Sequence, residues 1–195
     1  MATSGDLAKA LSELLKEPFS TTDLYGRHLR SAGLLAIKGH GRGAAEMTAR
    51  DAAAWLTALC IDHKRGGDFA KEVKRVLALP LLDAIIVPDH FADDLRCKTA
   101  KTAGEALASL FHDTLISRIR EVLDKGQDNV IVSFDGDGES VFLSIKGPYY
   151  PEIHSAALLT FQRGERARRN VERNTTVHGR VLLEIANLLE LKPPA

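Results

Sequence analysis

Basic and hydroxyl-bearing side chains are concentrated in residues 20–43. Asp23 is the single carboxylate of this segment, so arginine and lysine outnumber acidic residues there. Guanidinium and ammonium groups neutralise phosphates, while hydroxyl and imidazole groups hydrogen-bond to the edges of bases. The candidate binding residues of this segment are Thr21, Thr22, Tyr25, Arg27, His28, Arg30, Lys38, His40 and Arg42.

A second basic segment lies near the C-terminus, where Arg166, Arg168, Arg169 and Arg173 follow Arg163. An arm that contacts phosphates or RNA is one interpretation of this segment. A solvated loop that pairs its arginines with the nearby glutamates is the other. No aromatic residues are interleaved with the arginines, so the segment has no platform for stacking single-stranded bases.

Two patterns suggest metal ligands but fit no known geometry. Cys60 and His63, with His90 and Cys97, supply four zinc-type donors, yet their spacing matches no compact zinc finger. Cys60 also falls on the apolar face of its helix, which predicts a core cysteine. We therefore expect no zinc site.

The loop around Asp135 and Asp137 lacks the residues of a calcium-binding loop. Ser140 stands where that loop needs glycine, and Lys146 stands where it needs a bidentate glutamate. A tight hairpin is the better interpretation. The glycines of 39–43 lack the Lys-Ser/Thr ending of a nucleotide-binding loop. With the seven histidines scattered, the sequence predicts no catalytic residue and no cofactor.

The composition favours a folded, cytoplasmic protein. The chain has 195 residues, 45% of them hydrophobic, with 26 basic and 26 acidic side chains. A zero net charge gives no uniform attraction to nucleic acid, so any contact must be local. The two cysteines fit a reducing compartment, and neither a signal sequence nor a long apolar run is visible. We expect no membrane partner.

Several elements are predicted to position the basic residues of the first segment. A helix over 6–16, capped by Ser4, places four leucines on one stripe. A second, short helix is predicted through Leu24, Tyr25 and Leu29, and it stops at Gly33, a left-handed end position. Residues 34–37 are predicted to form a strand, 39–43 a turn and 46–47 a return strand. Together these elements have the layout of a wing.

The next helices are predicted from their capping signals. Thr48 with Asp51 begins a helix with a buried face around Trp55. A further helix covers roughly 68–79 and ends before Pro80. The prolines and acidic residues of 80–100 suggest a division between two subdomains.

The C-terminal part mixes helical and strand patterns. The longest helical pattern covers 101–125 and carries a broad apolar stripe. Residues 129–134 and 140–145 alternate as the strands of a hairpin, and 158–161 suggest a third strand. A final helix is expected to start between Asn174 and Thr176.

The segment STTDLYGRHLRSAGLLAIKGHGRGAAEMT resembles the recognition helix, strand and wing of winged helix-turn-helix DNA-binding proteins. In those proteins a helix ending such as Leu29–Leu35 leads to a wing rich in glycine and arginine. The sequence is also similar to DNA-binding regulators of phages and prophages, and the resemblance covers about the first 65 residues. It implies an α+β, mainly helical fold, with a winged helix-turn-helix domain over 1–80 and an α+β region with a β-hairpin over 81–195.

The resemblance implies a non-enzymatic transcriptional regulator that binds double-stranded DNA in a sequence-specific manner. A homodimer is expected, because one short helix reads only a few base pairs. The apolar stripe of 101–125 is either the interface of this homodimer or part of the chain's own core. The alternatives are a phage DNA-packaging subunit of the small-terminase type and a protein-interaction adaptor.

Overall fold

The computed structural model describes residues 2–37, 45–61, 68–86, 99–111, 120, 130–135, 140–145, 157–162 and 174–189. These residues form an α+β protein that is mainly helical, with six helices and a five-stranded antiparallel sheet among the described parts. The expected fold class is confirmed at this level. None of the described helices is long and apolar enough to cross a membrane.

The first four helices agree closely with their sequence signals. They are α1 (Ser4–Leu15), α2 (Phe19–Ser31), α3 (Ala49–Cys60) and α4 (Phe69–Leu77). The cap of α1 is Thr3 rather than Ser4: its hydroxyl accepts from the Asp6 N–H, and the Asp6 carboxylate accepts from the Thr3 N–H. The predicted cap of α3 is confirmed, because Thr48 and Asp51 form the same reciprocal pair.

Helix α5 (Ala103–Ser109) begins after a Thr102 cap, inside the long helix expected over 101–125. Leu107, Leu110 and Phe111 of the predicted apolar stripe are fully buried within the chain, so they are not available to a second subunit. The rest of the stripe, at 115, 119, 122 and 123, lies outside the described residues.

The sheet has the strand order β1-β4-β3-β2-β5, and each pair of neighbours is antiparallel. Its strands are β1 (Leu81–Ile86), β2 (Val130–Asp135), β3 (Ser140–Ile145), β4 (Ala157–Gln162) and β5 (Asn174–His178). The predicted hairpin and third strand are confirmed. Their pairing is β2 with β3 and β3 with β4.

One expectation about the C-terminal part was wrong. Residues 174–178 form β5, and the last helix, α6, covers Gly179–Leu188. The threonines were read as helix-starting residues, but pairing with β2 holds this segment extended. Strand β1 lies in the stretch 80–100, where the sequence predicted no helix or strand.

One cluster of buried residues connects helices and sheet. Val132 and Phe134 of the sheet belong to it together with Trp55 of α3 and Leu182 of α6. Helix α1 packs against α6, and α3 packs against α5. These contacts cross the predicted domain boundary at residue 80, which stays a prediction.

Candidate nucleic-acid interface

A tight corner joins α1 to α2. Lys16 ends α1 in the left-handed region, at φ 57°, and its N–H donates to the Ser12 carbonyl. The Ser12 hydroxyl closes the corner by donating to the Glu17 carbonyl over 2.7 Å. Pro18, whose carbonyl accepts from the Thr21 and Thr22 amides, starts α2. Helices α1 and α2 are therefore packed neighbours joined by the short connection 16–18.

The inner side of α2 is fixed against α3. Thr22, Gly26 and Leu29 are buried there, and the Trp55 indole N–H donates to the Thr22 carbonyl over 3.3 Å. The Thr22 hydroxyl donates back to the Pro18 carbonyl at 3.4 Å. This burial corrects the expectation that Thr22 contacts a ligand, since its side chain is inaccessible from outside.

The outer side of α2 exposes Ser20, Leu24, Arg27, His28 and Ser31. Their spacing of three to four residues places them on one face of the helix. The Arg27 side chain is 63% exposed and forms a 3.0 Å ion pair with Asp23. We call these five residues the outer face of α2. Sequence reasoning missed Ser20, Leu24 and Ser31, although the helical period that buries Thr22, Gly26 and Leu29 places them opposite.

Three predicted binding residues lie at the borders of this face. Thr21 is half-buried at the first turn of α2. Arg30 is also half-buried, and its Nη1 donates to the Ser4 hydroxyl over 2.9 Å. Tyr25 packs its ring against Phe69 of α4, with 4.6 Å between the centroids. Burial and the negative charge of Glu17 raise the pKa of Tyr25, so its phenol stays protonated at neutral pH.

Residues 34–37 and 45–48, the described parts of the segment after α2, contain no strand, contrary to the sequence prediction for 34–37 and 46–47. Gly33 does adopt the predicted left-handed conformation, at φ 70°. Beyond it, the Ala36 N–H donates to Asp51 Oδ1 over 2.9 Å, while the Thr48 N–H donates to Asp51 Oδ2 over 2.8 Å. A single carboxylate at the start of α3 thereby binds one backbone amide on each side of the predicted wing.

The predicted wing residues Lys38, His40 and Arg42 lie outside the described residues. The described flanks of their segment are both held near the start of α3. Asp51 holds Ala36 on one side and Thr48 on the other, and the Met47 N–H donates to the Ala2 carbonyl. Both flanks of the predicted wing are therefore anchored at the start of α3.

The second basic segment, 163–173, lies outside the described residues as well. Its flanking residues are Gln162 of β4 and Asn174 of β5. Gln162 pairs with Ser140 and Asn174 with Asp135, and those two partners are the hairpin ends of β3 and β2. The arginine-rich connection thus leaves and re-enters the sheet at the end where the β2–β3 connection lies.

The outer face of α2 offers groups for non-covalent contacts. A guanidinium, an imidazole and two hydroxyls share the outer face of α2, and they can contact phosphates and base edges. Within the described ranges, no three His, Cys, Asp or Glu side chains are placed to hold a metal ion. Cys60 is buried, while its supposed zinc partners lie outside those ranges.

Comparisons with protein-family profiles, curated proteins and solved structures found no match to the chain. Its function must therefore be argued from its own residues.

Proposed function

We propose that this protein binds double-stranded DNA in a sequence-specific manner through the outer face of α2 and acts as a transcriptional regulator. The observation that carries the proposal is the two-sided character of α2. Its inner side is anchored to Trp55, while its outer side presents Arg27, His28 and two serines to solvent. A rigidly held helix with a polar outer face is what groove recognition requires.

The dimensions and chemistry of duplex DNA suit this face. The major groove is about 12 Å wide and admits a single α-helix. Arg27 is suited to a phosphate or a guanine edge. The Ser20 hydroxyl is suited to donate to or accept from a base edge, whereas the Ser31 hydroxyl donates to the Arg27 carbonyl over 3.0 Å and is suited to accept. Leu24, 44% exposed at the centre of the face, is suited to a thymine methyl group. Thr21 and Arg30 at its borders extend the same contact set.

The finer parts of the proposal concern the wing and the second subunit. Lys38, His40 and Arg42 are proposed as wing contacts to the sugar-phosphate backbone or the minor groove, because glycines allow a close approach and arginine favours a narrow groove. A homodimer doubles the few base pairs that one helix reads. The relation to phage or prophage regulators rests on the resemblance of residues 20–48.

Binding of the purified protein to duplex DNA across a salt series tests the proposal. We expect salt-sensitive binding, with a genomic-fragment pool enriched over random sequence in two-fold-symmetric sites. The double substitution Arg27→Ala with His28→Ala should weaken binding strongly. Arg180→Ala is the matched control, because Arg180 is an exposed arginine on α6, which packs on α1 and β5. Absence of binding at low salt would overturn the proposal.

A protein-docking role is the second candidate, and one observation favours it. Phe19, Leu24 and Ile37 are large apolar residues that are 52%, 44% and 70% exposed. Exposed apolar side chains are groups that a protein partner can cover. Under this alternative, the Arg27 and His28 substitutions leave the weak DNA binding of the wild-type protein unchanged, whereas Leu24→Ser lowers affinity for a protein partner.

A further inference from the structure

We propose that the outer face of α2 pairs with the same face of a second copy of the chain, with the two helices antiparallel about a two-fold axis. The pairing itself is argued from α2 alone. Its consequence, that a paired helix cannot enter a DNA groove, rests on the proposed function and gives that site a means of regulation. The homodimer that reads DNA needs both outer faces free and is a different assembly.

Four exposed residues form a straight seam along α2. They are Ser20, Leu24, Arg27 and Ser31, which follow one another at intervals of four, three and four positions. This spacing keeps side chains in one line and is typical of the contact positions of paired helices. Leu24 lies near the middle of the seam, and the serines lie at its two ends. Small side chains at both ends let two helix axes approach to about 8–10 Å.

The seam is complementary to itself. In an antiparallel pair whose two-fold axis passes through the middle of the seam, Ser20 faces the partner's Ser31, and Leu24 faces the partner's Arg27. The Ser31 hydroxyl donates to the Arg27 carbonyl over 3.0 Å, so it is suited to accept from the Ser20 hydroxyl of the other copy. Leu24 packs on the aliphatic stem of an arginine whose guanidinium group reaches solvent. A two-fold contact requires this match of a surface with itself.

The charges of the face are complementary in the same arrangement. Asp23 borders the seam on the side of Arg27 and pairs with it at 3.0 Å. Residues that flank a seam meet across the interface, and in an antiparallel pair Asp23 also lies opposite the partner's Arg27. A carboxylate has two oxygens and accepts from both guanidinium groups. The four charged groups then alternate in sign, which stabilises the pair more than two separate exposed ion pairs would.

A second copy suits this combination of charges. A face that bound phosphates alone would be uniformly basic and would repel its own copy. Asp23 is the one carboxylate of α2, and it lies beside Arg27, so these two residues add no net charge to the face. Two copies therefore meet without accumulating charge, and each acid faces a base.

The pairing is expected to be reversible. The 13 residues of α2 span about 20 Å. A contact between two helices of this length buries less than the roughly 800 Å² per partner of a stable interface. Duplex DNA that binds the same face can therefore displace the second copy.

Charge reversal at each member of the ion pair tests the inference. Asp23→Arg leaves two bases at these positions and Arg27→Asp leaves two acids, so each variant should repel its own copy. Sedimentation across a concentration series should show that each variant associates several-fold more weakly than the wild-type protein. An equal mixture of the two variants should restore wild-type association, because bases then face acids across the interface. Unfolding midpoints should change little, since both side chains are exposed.

Glu13→Arg and Lys9→Asp are the matched controls, because Lys9 and Glu13 are an exposed base and acid four residues apart on α1. Each control variant and their mixture should associate like the wild-type protein. The inference is overturned if wild-type protein stays monomeric, if the two α2 variants associate like wild type, or if their mixture does not recover association.

A titration with duplex DNA separates the pairing from the proposed function. Added DNA should dissociate the α2 pair, and Arg27→Asp should bind DNA weakly although it is unpaired. If the α2 pair forms but wild-type protein does not bind DNA, the proposed function fails and the pairing stands. If wild-type protein is monomeric and binds DNA, the pairing fails and the proposed function stands. DNA bound without dissociation of the pair overturns the regulatory role.

Discussion

The indole N–H of Trp55 donates a hydrogen bond to the backbone carbonyl of Thr22, across 33 positions of sequence. This bond joins the middle of α3 to the first half of α2 in the core. The same indole covers Gly26, where a Cβ atom would lie 2.3 Å from Trp55 Cζ2. One tryptophan thereby sets both the separation and the rotation of α2, and hence which of its residues face outward.

Gly26→Ala should destabilise the protein. Alanine gains about 1 kcal/mol of helix propensity over glycine, but the added methyl group cannot fit beside Trp55, and overpacking of a core typically costs about 1–3 kcal/mol. Urea unfolding measures the net change. Gly5→Ala in α1 is the control, because a Cβ there meets only the Thr3 hydroxyl at 3.8 Å. That variant should be neutral or more stable, and a stabilised Gly26→Ala protein would contradict the described packing.

Asp51→Ala should cost more stability than Asp6→Ala. Both carboxylates form a capping box, but Asp51 is buried and also accepts from the Ala36 amide. Leaving those donors unpaired costs about 1–3 kcal/mol. The free energies of unfolding of the two variants provide the comparison. Amide exchange at Ala36 gives a second readout, since its protection should be lost in Asp51→Ala alone; unchanged protection there would show that Asp51 does not hold this segment.

The Cys60 thiol should resist ionisation in the folded protein, so the free energy of unfolding should fall at alkaline pH. Burial, with a further contribution from Glu17, raises the pKa of its thiol from 9.0 to about 12. The thiol ionises at a lower pH in the unfolded chain than in the folded protein. The contribution of the buried thiol to the free energy of unfolding is therefore complete below pH 9 and is lost as the pH rises towards 12. Unfolding free energies in a Cys97→Ser background should fall less steeply above pH 9 after Cys60→Ala. Rapid labelling of native Cys60 by a thiol reagent at neutral pH would refute its burial.

Asp23→Asn should strengthen DNA binding under the proposed function. Asp23 pairs with Arg27 at 3.0 Å and is the one carboxylate on α2, so its removal frees a guanidinium and lowers repulsion of phosphates. Titration at two salt concentrations should show a lower Kd for the variant, with the larger gain at low salt. The pair itself is exposed, so little stability should be lost. Unchanged or weaker binding would argue against contact between this face and DNA.

Local signals in the sequence were sufficient for the first four helices and for the β2–β3 hairpin. A capping threonine with an acid three residues later, as at Thr48 and Asp51, acts within one turn of helix. Gly33 likewise ends α2 through its own conformational freedom. The alternation of β2 and β3 is visible because the two strands are neighbours in the chain as well as in the sheet.

Strands β1 and β5 were not predictable by the same means. Strand β1 pairs with β4, more than seventy residues later, and β5 pairs with β2, about forty residues earlier. Their own residues, with Asp83 in one and successive threonines in the other, match helix-capping or loop patterns when read locally. Pairing with distant strands satisfies their backbone amides and decides the outcome.

The sequence by itself determined the approximate positions of the first four helices and which segments are basic, because caps, helical periodicity and charge are properties of neighbouring residues. Only the tertiary structure decided which members of a basic helix can meet a ligand. Thr22 and Arg27 were equivalent candidates in the sequence, yet Thr22 is buried on the side of α2 that packs on Trp55, whereas Arg27 lies on the exposed side. Residues 34–37 likewise form no strand, and the Ala36 amide bonds to the Asp51 carboxylate, fifteen residues later in the chain.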